Sequence, residues 1–429
     1  MLQLIQILNK RNLIGVTTIF CYVFSFYIIG PITSSMVIAI PYSFMYIYNK
    51  EHLRQDVFSV RIFYCLILIL FFASFYTIIH VVFDFSYLKV MVAQAIHLLM
   101  GVMIVTMFIR KYKFTSNDIE KYIVLSFFIQ SIIEIVASVT PSFAAALLPF
   151  NRAYEFAESE SGRRGLALAA GTGWSLGLAY GLLYIVFVKR YLLDGINGLK
   201  IFVGVVLLAG TMFAGRTGFV GAVFGMILFL LNANKGISYK IFIILKILLF
   251  VIIACFSFYI CFPVVAIHLV DNVFPFAFEP FYKLFYNGEF STSSTDRLQE
   301  MWEVTITPWE IISGTGNFTD PSGSYYKHID IGIMRNLFYW GILGYLLMIV
   351  YQLLFLVSIR IHSTDRKLHW NMRVYRFCLI VYLFVMEFKA MVIGFNKMSM
   401  SIVFLLAYFY YYEYRKQKQR AVVGNYTML

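Results

Sequence analysis

Apolar blocks of about 17–25 residues follow one another along the chain, separated by short segments that carry most of its charge. A block of that length crosses the hydrocarbon core of a bilayer as one helix, in which the backbone satisfies its own N–H and C=O groups. With 61% hydrophobic and 13% charged residues, the 429-residue chain has too little polar surface to cover a soluble domain. The expected fold class is therefore all-α: a polytopic transmembrane helical bundle forming a single integral membrane domain over residues 1–429. No cleavable signal peptide is expected, because the first block, Leu13 to Gly30, meets the next without a small-residue cleavage site.

Twelve spans can be drawn, at 13–30, 32–48, 61–80, 88–109, 120–139, 167–188, 201–215, 217–232, 241–262, 332–359, 377–393 and 397–412. The net charge of +13 is decided by its placement rather than by nucleic acid, which is not an expected partner. With the N-terminus inside, 24 of the 35 Lys and Arg residues fall in inner segments such as "NKEHLRQ", "RKYK" and "YRKQKQR". The positive-inside bias then puts both termini in the cytoplasm. Two outer loops result, at 140–166 and 263–331. The larger holds nine Asp or Glu residues against Lys283, Arg297 and Lys327. Its "STSSTDRLQEMWEVT" opens on capping residues and predicts a short amphipathic helix lying on the membrane.

The run from Ile201 to Leu231 contains one charge, Arg216, inside "FAGRTGFVGA". Each half is about 15 residues, or roughly 22 Å of helix, shorter than the roughly 30 Å core. The expected structure is a hairpin with Arg216 recessed at its tip and Thr217 capping the second helix. Other arginines share that outer face: Arg163 and Arg164 before the sixth span, Arg297 in the large loop, and Arg335 at the start of the tenth span. Arginine suits bidentate recognition of phosphate, whereas membrane-boundary arginines also snorkel to lipid headgroups.

Carboxylates supply the acid–base candidates. Glu134 lies inside the fifth span, where pairing with an arginine would serve structure or chemistry. Asp330 stands where the large loop re-enters the membrane, in "SYYKHIDIGIMR", as a general base for a hydroxyl or as a helix cap. In the same stretch Tyr325 and Tyr326 suit stacking on sugar rings or anchoring at the interface, and His328 lies beside them. The five cysteines and seven histidines show no metal-ligand spacing. Phosphate-binding, dinucleotide and serine-nucleophile motifs are missing, so neither cofactor nor metal is expected.

Four segments, taken in order, carry a resemblance: "RRGLALAAGTGWSLG", "AGRTGFVGA", "TDRLQEMWE" with "ISGTGNF", and "DIGIMRNLFYWGILG". Together with a large outer loop late in the chain, they resemble the bacterial O-antigen polymerase (Wzy-type) family, over roughly residues 150 to 350. The Arg-x(10)-Gly spacing of some of these polymerases does not occur at Arg163 or Arg164. The resemblance implies a glycosyltransferase of lipopolysaccharide biosynthesis in the bacterial inner membrane, acting on its periplasmic face. It implies lipid-linked oligosaccharides as substrates, a chain-length regulator as partner, and undecaprenyl pyrophosphate as the group carrying each repeat unit. Asp330, Arg216 and Glu134 are then the catalytic candidates. Arg163, Arg164, Thr217, Arg297, Arg335, Tyr325, Tyr326 and His328 are the substrate-binding ones. An O-antigen ligase or a flippase of lipid-linked oligosaccharide is the alternative. The ligases of this group carry a histidine where Asp330 stands, eleven residues before Gly341.

Overall fold

The computed structural model describes residues 9–48, 57–151 and 166–426, apart from 81, 83, 194, 196, 233–235, 262, 269, 272–273 and 393. Among the described residues the fold is all-α, with one two-stranded antiparallel sheet in which Tyr27–Ile29 pairs with Ile32–Thr33. Each expected apolar block contains a helix, although the first is helical only to Phe24 rather than Gly30 and the sixth only from Trp174 rather than residue 167: α1 (Lys10–Phe24), α2 (Ser34–Tyr48), α3 (Val57–Ile79), α4 (Ser86–Arg110), α5 (Ser116–Val139), α6 (Trp174–Phe187), α7 (Gly198–Ala214), α8 (Thr217–Leu231) and α9 (Ile237–Cys261). The large loop contributes α10 (Glu279–Asn287), α11 (Ser293–Trp302) and α12 (Pro308–Ser313). The chain then continues as α13 (Gly332–Val357), α14 (Arg366–Glu387) and α15 (Lys397–Tyr426). Among the described residues five helical stretches are long and apolar enough to cross a membrane: α3, α4, α5, α13, and α6 with the turn that extends it to Leu192. On α3, Ile67, Phe71 and Ile78 are exposed, as are Leu245, Leu249 and Phe256 on α9. Water would penalise such surfaces, whereas acyl chains accept them.

Residues 1–38, 112–290 and 361–379 form one compact unit, and residues 39–111, 291–360 and 380–429 form a second. In the first, α6 is buried on every side from Leu176 to Phe187, as a helix that is apolar all round must be. Small residues let its neighbours come close. A Cβ on Gly221 of α8 would lie 2.1 Å from the Cα of Gly181 on α6, so only glycine fits that crossing. Helix α5 begins with a capping box in which Thr115 and Asp118 each accept the other's backbone N–H. Lys240 closes the far end of α8, its Nζ donating to the carbonyls of Leu230 at 2.6 Å and Asn232 at 2.7 Å.

In the second unit α13 is not continuous. Trp340 and Gly341 leave the helical region, Gly341 at φ 65° and ψ −168°. The break frees two carbonyls, and the loop sequence Gly314-Thr315-Gly316 takes them: Thr315 N donates to Phe338 O at 2.6 Å and Gly316 N to Tyr339 O at 2.9 Å. The approach is backbone to backbone, since a Cβ on Gly314 would meet Gly341 N at 2.6 Å. Helix α12, capped by Thr307 and Glu310, delivers the Gly-Thr-Gly segment to this joint. A broken span is tolerated where protein, rather than lipid, satisfies the freed groups.

Candidate functional site

The residues proposed from sequence divide between the units. Arg216, Thr217 and Glu134 belong to the first; Asp330, Arg297, Arg335, Tyr325, Tyr326 and His328 belong to the second. Arg163 and Arg164 lie outside the described residues.

The hairpin around Arg216 forms as expected, turning at Gly215, whose φ of +155° a side chain rarely adopts. Thr217 does not cap α8. Arg216 occupies the cap position but its side chain makes no capping hydrogen bond, and Thr217 is the first helical residue. The Thr217 hydroxyl is instead packed against Gly177, where a Cβ would come within 2.4 Å of it. Nor does the Arg216 guanidinium stand open. It donates to the carboxylate of Glu279 on α10, which also faces Lys283 at 3.8 Å. An anion arriving here would compete with Glu279 for the same donors.

Glu134 is fully buried on α5, and its partners among the described residues are neutral rather than arginines. Its Oε1 accepts the Tyr180 hydroxyl at 3.1 Å, and that hydroxyl lies 2.8 Å from Ser131 Oγ. The absence of a side chain at Gly210 makes room, since a Cβ there would lie 2.2 Å from Ser131 Oγ. The group is a hydrogen-bonded polar core between packed helices.

The second unit builds a more open chemistry around Arg335, one turn into α13 and only 8% exposed. Residues 318–326 fold as a small hairpin: Thr319 pairs with Tyr325, and Asp320 N donates to Ser324 O at 2.8 Å across Pro321-Ser322-Gly323. Phe318 comes from one arm and Tyr325 from the other. The Arg335 guanidinium carbon lies 4.1 Å from the Phe318 ring centre and 3.7 Å from that of Tyr325. Stacking on rings fixes the plane of the guanidinium and leaves its N–H edge for a ligand. Its Nε and Nη2 are buried without a hydrogen-bond partner among the described residues. Unmatched buried donors of a permanent cation are costly, and a bound anion would remove that cost.

Asp84 anchors the hairpin. Its carboxylate accepts backbone N–H groups from Phe318 at 2.8 Å, Thr319 at 2.5 Å and Ser86 at 2.9 Å. Burial by itself would raise its pKa, but these donors hold it below the ordinary carboxylate value. Asp330 shows the opposite balance: burial raises its carboxyl, and the charges of Arg335 and Arg297 only partly offset the rise. Thus Arg335 and exposed Arg297 both act electrostatically on Asp330.

Tyr325, a candidate for stacking on sugar rings or for anchoring at the interface, is half-exposed and lies against the Arg335 guanidinium. Tyr326 packs its ring on Phe338 at 5.7 Å, in a small core with Met301, Ile329 and Ile331. Lys327 and His328 both have positive φ, at 53° and 56°, and make the tight turn leading to Asp330. Lys327 is held by Glu310 at 2.7 Å. Sequence reasoning overlooked Phe318, Asp84 and Glu279. The Pro-Ser-Gly turn was the signal available for the Phe318 arm. No family model, curated protein or solved structure matches this chain.

Proposed function

We propose that the chain polymerises undecaprenyl-pyrophosphate-linked oligosaccharide repeat units into O-antigen polysaccharide at the periplasmic face of the bacterial inner membrane. The observation that carries this reading is Arg335: a buried guanidinium packed on the rings of Phe318 and Tyr325, with two N–H donors unfilled and a carboxyl nearby. Glycosyl transfer from a lipid carrier needs cationic donors on the departing pyrophosphate and a base for the acceptor hydroxyl. In this reading Asp330 takes the hydroxyl proton as the acceptor oxygen attacks the anomeric carbon of the growing chain. The bond from that carbon to the pyrophosphate breaks, and Arg335, with Arg297, holds the charge on the departing lipid. Lipid-linked oligosaccharides are the substrates, and a chain-length regulator is the expected partner.

Deleting the gene tests the reading against its alternatives. A polymerase deletion leaves single repeat units capping the lipopolysaccharide. A ligase deletion accumulates polymer on undecaprenyl pyrophosphate, and a flippase deletion traps units on the cytoplasmic side. Either of the last two results overturns the proposal.

The Asp330 balance also gives a pH dependence. A base works only when deprotonated, and burial raises the pKa of this one. In proteoliposomes the polymerisation rate is expected to rise with pH along a limb set above the ordinary aspartate value. Arg297→Gln, by removing a charge that holds the pKa down, should move the limb to higher pH. Asp330→Asn should erase it and slow the reaction about 10²–10⁴-fold. An unchanged limb in Asp330→Asn would remove this residue from the chemistry.

A further inference from the structure

A separate cavity of about 290 Å³ opens in the second unit where α3 begins and α13 ends, against the later part of α15. Its walls are apolar, with Phe58, Ile62, Leu354 and Tyr411 among them, and two arginines, Arg61 and Arg360, also line it. Arg61 is in the first turns of α3, and Arg360 is three residues past the end of α13, so both sit at one end of two membrane-length helices. Val350 and Val357 on its rim are about half exposed, 50% and 51%, so the cleft opens toward an apolar outer surface.

The arginines are prepared for an anion. The Arg360 guanidinium carbon lies 4.1 Å from the ring centre of Tyr414 and 6.0 Å from that of Tyr411, which orients its plane. Its Nε is buried without a hydrogen-bond partner among the described residues. Among the described residues no carboxylate lines the cleft. Two guanidiniums beside an apolar channel match a phosphate that carries acyl chains, whereas a free phosphate would gain nothing from the apolar walls.

We propose that this cleft binds an anionic phospholipid, its phosphate between Arg61 and Arg360 and an acyl chain along Phe58, Ile62 and Leu354. The site does not depend on the glycan-polymerising reading.

The test uses the full-length protein in nanodiscs of mixed phosphatidylglycerol and phosphatidylethanolamine, with retained lipid counted by native mass spectrometry. Wild type should keep phosphatidylglycerol in preference to phosphatidylethanolamine. Arg61→Gln/Arg360→Gln should lower that preference about 25-fold, at about fivefold for each charge near a membrane surface. Lys416→Gln/Lys418→Gln removes two exposed basic residues on α15 that do not line the cleft, and should leave the preference intact. Leu354→Trp fills the cleft without changing charge and should also lower retention, which keeps the test open if the arginine variant fails to fold. Equal retention by wild type and the cleft variants overturns the proposal, as does an equal loss in the Lys416/Lys418 variant. Displacement of the lipid by soluble glycerol phosphate at equal concentration would make this a free-phosphate site and would also overturn it.

Discussion

Replacing Arg335 by methionine should abolish polymer while raising the temperature at which the purified protein unfolds. The two effects have one cause. Arg335 is buried with Nε and Nη2 unsatisfied, and each buried unsatisfied donor costs about 1–3 kcal/mol, more when charged. Methionine keeps the contact with Phe318 and Tyr325 and removes that cost. Activity should move the other way, because loss of one donor to a developing anion typically costs about 10²–10³ in rate. Arg335→Lys should keep the charge but lose the planar fork and the stacking, and also fall at least about 10²-fold. Chain-length distribution in a complemented deletion strain and thermal unfolding in detergent check both arms. If the methionine variant lost stability together with polymer, Arg335 would be a structural residue.

The second large effect is expected at the joint in α13. Gly341 at φ 65°, ψ −168° and Gly314 at φ 68°, ψ 179° both occupy a region that is essentially reserved for glycine, and they meet backbone to backbone. A Cβ on Gly341 would come within 2.3 Å of Ile312 O, and the backbone strain alone costs about 1–3 kcal/mol. Gly341→Ala should therefore displace Gly314-Thr315-Gly316 and leave the carbonyls of Phe338 and Tyr339 without donors. Little monodisperse protein should survive extraction. Gly323→Ala is the control: its φ is also positive, at 82°, but nothing lies within 4 Å of its Cβ, so it should cost only about 1 kcal/mol. Size-exclusion profiles of the two variants decide the matter, and wild-type behaviour of Gly341→Ala would refute the account.

Local signals explain what could be read in the sequence. The apolar blocks became helices because membrane-length runs have few other ways to satisfy their backbone, and Gly215 broke the run around Arg216 where two half-length pieces met. Thr292 and Thr307 start α11 and α12 with capping boxes, of which the first was anticipated. The second break, at Trp340–Gly341, could not be read in the same way. From Gly332 to Val357 there is no proline or charge near the break, and its cause lies in the Gly-Thr-Gly segment more than twenty residues upstream. Partner choice was equally hidden. Glu279 stands 63 residues from Arg216, and nothing local to either announces the pair. Tyr325 was singled out, but Phe318, which completes the clamp, reaches Arg335 only because a turn at Pro321-Ser322-Gly323 folds its arm back.

Asp84 gives the second unit an order of events. Phe318 and Thr319, whose backbone groups its carboxylate accepts, follow it by 234 and 235 residues. At about 5–20 residues synthesised per second, the carboxylate waits roughly 10–50 s before those partners exist. Helix α3 precedes the carboxylate in the chain and α4 follows it directly, so both are synthesised long before the arm that Asp84 holds. The carboxylate that holds the Phe318 arm is thus made long before the arm itself, and Arg335, which that arm supplies with a ring, is translated later still.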